Sequence, residues 1–106
     1  MAGEDLAASW YLANGYEILA RNWRCREGEL DLVAARGRVY VFCEVKARTT
    51  DVFGTPVEAV TRTKAARIRR LAARWLDEAA PRRALEIRFD VAAVLGDELE
   101  VIEGAF

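Results

Sequence analysis

Residues 39–48 read VYVFCEVKAR, and the alternation within them decides the fold. Val39, Val41, Cys43 and Val45 fall on one side of an extended chain, the pattern of a buried strand face. Tyr40, Phe42, Glu44 and Lys46 fall on the other. This second face begins aromatic, then carries a carboxylate and an ammonium two residues apart at the strand's C-terminal end. An apolar strand that finishes in a same-face acid and base needs a reason.

The flanking sequence sets this strand in a sheet. Arg36-Gly37 ahead of it reads as a tight hairpin turn, and Glu29 to Ala35 as the antiparallel strand entering that turn. Further upstream, Tyr16 to Trp23 reads as a first strand and Cys25 to Gly28 as its turn. Leu6, Trp10 and Ala13, widened by Ala7 and Tyr11, predict a helix over 4–14 that stops at Asn14-Gly15. Downstream, residues 48–55 lack periodicity and read as a loop. Thr55-Pro56-Val57-Glu58 then reads as an N-cap, a proline at the first helical position and a capping-box acid. The helix that follows, with a restart near Thr61, carries Ala65, Ile68, Leu71, Ala72 and Trp75 as its core stripe and stops at Pro81. Leu85 to Leu95 and Leu99 to Ile102 are two last strands joined at Gly96-Asp97.

The order α-β-β-β-α-β-β predicts an α/β (α+β) fold, one domain over 1–106 with a mixed sheet flanked by helices. Strands one to three form an antiparallel meander. The long helix has the length of a crossover that sets the fourth strand parallel to the third.

Composition narrows the chemistry. The 106 residues are 53% hydrophobic and 31% charged, as in soluble globular chains. No apolar run approaches the ~20 residues of a membrane helix. The acidic start MAGEDLAASW lacks the basic region of a secretory signal, and Cys25 and Cys43 are too few for a disulfide scaffold. A reduced, cytoplasmic protein without a membrane partner is the expectation. Histidine is absent, which removes histidine bases, the usual nucleophilic triads and His-ligated metals. No GxGxxG or Walker-type loop is present. Carboxylates, lysines and a hard cation that prefers oxygen ligands remain.

Net charge is −1, but it is unevenly placed. Between Thr61 and Arg83 stand eight basic residues (Arg62, Lys64, Arg67, Arg69, Arg70, Arg74, Arg82 and Arg83) against Asp77 and Glu78. This basic helix is either a solvated face or a phosphate-contacting surface, with Arg48 and Arg62 at its approaches and Lys64, Arg67, Arg70 and Arg74 along it. Trp10, Trp23 and Trp75 each sit in an apolar pattern and read as core.

Glu29 and Asp31 share a strand face, and a hairpin at Arg36-Gly37 sets that face beside Glu44 and Lys46. The plain reading is a solvated face with one cross-strand Glu/Lys pair, contributing about 0.2–1 kcal/mol. Two features weigh against it. Tyr40 and Phe42 share the face, so it is at least half covered, and three carboxylates close together repel unless a cation joins them. A divalent ion assisted by Lys46 meets that need.

The G-E-x-D strand followed by a strand ending E-V-K resembles the metal site of the PD-(D/E)xK, or restriction-endonuclease-like, nuclease superfamily. From Gly3 to Leu95 the chain resembles the YraN-like family more closely, through GEDLA, GYEILARNWR, GELDLVA, VFCEVKART and FGTPVEAVTRTK. The resemblance implies an αβββαββ restriction-endonuclease-like core and a nuclease that hydrolyses DNA phosphodiesters, including branched or structured DNA. It implies that Asp31, Glu44 and the Val45 carbonyl hold Mg²⁺ or Mn²⁺, with Glu29 tuning the ion from further out. Lys46 would position or deprotonate the attacking water, and Glu4 would match the first-helix glutamate of archaeal Holliday-junction resolvases. A homodimer on a two-fold symmetric junction follows from the same likeness. Two readings from other classes stay open: a non-catalytic nucleic-acid-binding module on this fold, and an interaction subunit within a DNA-processing assembly.

Overall fold

The structure is a computed structural model that describes residues 2–48 and 60–106, with Arg48 described by its backbone alone. Its elements are α1 (Gly3–Ala13), β1 (Glu17–Cys25), β2 (Gly28–Arg36), β3 (Val39–Arg48), α2 (Arg62–Ala79), β4 (Glu86–Leu95) and β5 (Glu98–Ile102). The strands form one five-stranded sheet in the order β1-β2-β3-β4-β5. All neighbours are antiparallel except β3 and β4, which run parallel over the full length of β3. This is the mixed sheet flanked by helices that the sequence predicts. Among the described residues, no helix is long and apolar enough to cross a membrane.

β3 is the central strand, and both of its faces are buried. On one face Val41 and Cys43 join Leu32, Ala34 and Ala92 beneath Ala7, Ala8 and Tyr11 of α1. On the other, Tyr40 and Phe42 join Val33 and Phe89 beneath Ile68, Leu71, Ala72 and Trp75 of α2. The Trp75 ring lies 5.9 Å from the rings of both Tyr40 and Phe42. β-branched and aromatic residues suit a strand enclosed in this way. The predicted α2 stripe is the one that packs.

Several local expectations shift. Arg36 pairs with Val39, so the hairpin turn is Gly37-Arg38, one residue later than predicted. Gly37 has φ +62 in the first central position, where glycine meets no steric penalty. α1 buries Ala7, Ala8 and Tyr11 while Ala13 is exposed, because two small side chains bring the helix close to the sheet. Leu30 packs on the α2 side and Leu32 on the α1 side, although period-two alternation puts them on one face. Helix α2 starts at Arg62, capped by Thr61, whose hydroxyl accepts from the Lys64 N–H at 3.1 Å. The capping box predicted at Thr55 to Glu58 and the loop from residue 49 lie outside the described residues.

A second polar centre fastens α1 to the C-terminal strands. Asp90 is fully buried on β4 and accepts from the Tyr11 hydroxyl at 2.5 Å, Arg88 Nε at 2.8 Å and the Gly104 N–H at 3.0 Å. Cys25 and Cys43 are both free thiols. Burial pushes the Cys43 thiol up to about 12, which makes it a small apolar side chain.

Trp75→Ala removes the centre of the α2 side of the core. It should cost about 3–5 kcal/mol, read as a lower urea midpoint at unchanged slope. An unchanged midpoint would contradict the packing of α2 on the sheet.

Candidate functional site

The site forms where the β2–β3 ladder ends. Pairing between these strands runs from Arg36↔Val39 to Leu32↔Cys43. One further step in the same register sets Asp31 opposite Glu44, on the face that Val33 and Phe42 share beneath α2. Here the backbone ladder gives way to a side chain: the Val45 N–H donates to Asp31 Oδ2 at 2.9 Å. On the other side of β2 the regular pairing skips Asn22, which adopts φ +51 between Arg21↔Leu32 and Trp23↔Leu30. An asparagine tolerates the left-handed region better than most residues. The irregularity at Asn22 and Asp31 is where Leu30 and Leu32 part to opposite faces.

Asp31 and Glu44 open into a concavity of about 350 Å³, walled by Glu29, Asp31 and Glu44 from the sheet and by Lys64, Arg67 and Ile68 from α2. Gly28 lines it too, with φ +151 and a position where a Cβ would stand 3.3 Å from Leu71 Cδ1, so glycine lets β2 enter close under α2. The Glu44 side chain is only 6% exposed. Lys64 Nζ lies 2.9 Å from Glu44 Oε1, and Lys46 Nζ lies 4.0 Å from the same oxygen.

These charges perturb one another. Burial raises the Asp31 carboxyl above the ordinary aspartate value, and the neighbouring Glu44 raises it further, against the opposing Val45 N–H. Lys46 is lowered, first by burial and then by the Lys64 ammonium beside it. Burial also works against the charge on Lys64, but its hydrogen bonds to Lys46 and Glu44 outweigh that and leave it raised. Of the two lysines, Lys64 therefore keeps its proton more firmly and Lys46 gives its own up more readily.

The structure places the other predicted site residues variously. Glu29 is tied to Arg24, 3.0 Å from its Nε, at the edge of the concavity. Glu4 accepts from Arg21 Nε at 2.9 Å and Asn22 Nδ2 at 3.0 Å, and is not among the walls of the concavity. Asn22 thus links Glu4 to the unpaired position of β1 that stands opposite Asp31. Among the described residues, no three acidic or cysteine side chains converge closely enough to bind a metal by themselves. Arg62, Arg67 and Arg70 are exposed on α2. Arg74 is committed to Glu78 at 3.0 Å and to Glu27 at 3.3 Å. The reach of Lys64 to Glu44 and the hold of Arg21 and Asn22 on Glu4 are absent from the sequence reading. Both are contacts between elements distant in the sequence.

The description "Uncharacterised protein family UPF0102" fits residues 3–94, and the chain belongs to that family, the YraN-like proteins. It is 58% identical to a UPF0102 protein of Beutenbergia cavernae over 93 residues, 88% of this chain and 78% of the relative. A UPF0102 protein of Frankia casuarinae is 55% identical over 109 residues, covering 98% and 92% of the two chains. One from Acidothermus cellulolyticus is 48% identical over 118 residues, covering 98% and 89%.

Because the Asp31 carboxyl is raised, the folded protein holds this proton more tightly than the unfolded chain. Stability therefore falls as pH rises from the unfolded aspartate value through the raised one, and the penalty persists above it. Asp31→Asn removes the penalty while leaving an oxygen for the Val45 N–H. It should raise the thermal midpoint by a few degrees at neutral pH, with the gain shrinking in acid. A lower midpoint at neutral pH would show that Asp31 is an ordinary structural acid.

Proposed function

We propose that this UPF0102 protein is a Mg²⁺- or Mn²⁺-dependent nuclease of the PD-(D/E)xK, restriction-endonuclease-like kind that hydrolyses DNA phosphodiesters, including those of branched or structured DNA. One observation carries the reading. Two carboxylates, Asp31 and Glu44, stand side by side at the end of a broken ladder, with a lysine of lowered pKa on the same acid.

The donor set suits a hard cation. Asp31 and Glu44 supply carboxylate oxygens, and the Asp31 carboxyl, raised by burial and further by Glu44, is one whose charge a dication would compensate. Successive residues of a strand direct their amide and carbonyl to alternate edges, so the Val45 carbonyl lies on the same edge as the N–H that meets Asp31. These three groups would hold the ion, leaving its other positions to water. A bound dication would supply Lewis acidity toward water and phosphate oxygens. Glu29, paired with Arg24, would act on the site from its edge.

Lys46 does the proton work in this reading. Its lowered pKa lets Nζ accept a proton from the water that attacks phosphorus, and the resulting ammonium faces the charge that develops on the phosphate. Arg62, Arg67 and Arg70, exposed on α2, are placed to meet neighbouring phosphates, with Arg48 at the end of β3. Glu4, held by Arg21 and Asn22, would brace the left-handed Asn22 of β1 across from Asp31. A junction with two-fold symmetry would engage two copies of the chain.

The same exposed arginines favour a second reading, a module that binds DNA without cutting it. Titration calorimetry separates the two, since a module of that kind would show salt-sensitive DNA binding and no heat with Mn²⁺ at millimolar concentration.

The nuclease reading predicts that the purified protein cuts branched, flapped or single-stranded DNA with Mn²⁺ and stops in EDTA. Lys46→Ala should slow cleavage by at least about 10²-fold with an unchanged circular dichroism spectrum. Full cleavage by the Lys46→Ala protein would sink the mechanism.

A further inference from the structure

The ammonium nearest the buried acid is not the lysine of the E-V-K motif. Lys64 stands 2.9 Å from Glu44 Oε1, where Lys46 stands at 4.0 Å. Its place is fixed by local structure. Lys64 is in the first turn of α2, and its own N–H is bound by the Thr61 cap. The helix is anchored by Ile68, Leu71, Ala72 and Trp75. A side chain so placed reaches down into the concavity instead of out along the helix surface. Its partner Glu44 is one of the two carboxylates that would hold a dication, so the Lys64 ammonium and the ion compete for one oxygen.

We propose that Lys64 is an internal counter-ion, which holds Glu44 in the metal-free protein and is displaced by a divalent cation toward a substrate phosphate. The inference rests on the nuclease reading of the site. In the absence of metal, Lys64 is the nearer of the two ammonium groups, at 2.9 Å against 4.0 Å for Lys46, that neutralise a carboxylate only 6% exposed. When a dication takes over that role, the ammonium is released inside a concavity that it lines together with Arg67, one helical turn further along α2. A phosphodiester held there would be its natural partner. Metal binding and the appearance of a phosphate-binding cation are then two sides of one exchange, and by reciprocity a phosphate that attracts Lys64 favours the metal. A surface lysine would show no such linkage.

The test uses the full chain and two variants, Lys64→Gln and Lys64→Arg, each checked for a single cooperative melting transition well above the assay temperature. Mn²⁺ affinity is measured by calorimetry and by the loss of free-ion electron paramagnetic resonance signal, so no cleavage is needed. Lys64→Gln should bind Mn²⁺ at least about fivefold more tightly than the unmodified chain, because the ion no longer displaces a cation. Lys64→Arg should stay close to the unmodified value. Affinity for a labelled DNA duplex is then read by anisotropy in EDTA and in Ca²⁺. Lys64→Gln should weaken binding in Ca²⁺ by about fivefold or more while leaving it nearly unchanged in EDTA. Equal Mn²⁺ affinity for Lys64→Gln and the unmodified chain, or an equal loss of DNA affinity with and without Ca²⁺, would overturn the exchange and leave the nuclease reading standing. No Mn²⁺ binding by any of the three proteins would overturn both.

Discussion

Enclosure of β3 on both faces is the constraint from which the rest follows. α1 covers Val41 and Cys43, and α2 covers Tyr40 and Phe42, so the central strand has no solvated side along its apolar body. A polar residue can appear on such a strand only where the helices end. Glu44 and Lys46 occupy that position, beside the start of α2, and this explains why Glu44 is nearly buried yet charged partners reach it. Parallel pairing of β3 with β4 has the same consequence at a larger scale. It demands a crossover, and the crossover helix delivers Lys64 and Arg67 to the carboxyl end of β3, where open α/β sheets place their ligands.

Asp31 reaches that position by a different route. If β2 continued as a regular strand, the Val45 N–H would be met by backbone and the Asp31 side chain would be one more group above the sheet. Instead its carboxylate substitutes for the ladder. At the break Leu30 and Leu32 pack into opposite cores, and Asn22 of β1, across from Asp31, is left-handed. A local irregularity costs stability, and here it is held in place by packing on both sides of it: Leu30 and Trp23 against the α2 core, Leu32 in the α1 core.

Legibility in the sequence followed the range of the interactions. The alternation in residues 39–48 and the 3.6-residue stripe of Ile68, Leu71, Ala72 and Trp75 are local patterns, and the sheet, its parallel pair and the α2 packing came directly from them. So did the shared face of Asp31 and Glu44, since a hairpin fixes register over a few residues. Alternation alone puts Leu30 and Leu32 on one face because it assumes an unbroken pleat, and nothing in G-E-L-D-L announces that Asp31 will take a backbone donor. The Lys64–Glu44 pair spans twenty residues of sequence and depends on where α2 docks, so charge patterning along the helix grouped Lys64 with its solvent-facing neighbours. Glu4 was assigned by resemblance, and its hold by Arg21 and Asn22 is again a tertiary contact.

Asp90, fully buried, and Asp31, half-buried, are held in opposite ways. Asp90 is fully buried and accepts from a tyrosine, an arginine and a backbone amide, which join α1, β4 and the C-terminal segment. Such a saturated network holds a fold together and has no capacity left for a ligand. Asp31 has one backbone donor and an acid for a neighbour, and its carboxyl is raised by burial and by that neighbour. Glu44 beside it is satisfied by a lysine from another element, a contact that a stronger cation could replace. Selection for stability alone would favour the arrangement at Asp90 in both places. The arrangement at Asp31 and Glu44 gives up stability, and a perturbed acid pair in a concavity is the kind of feature on which the proposed function rests.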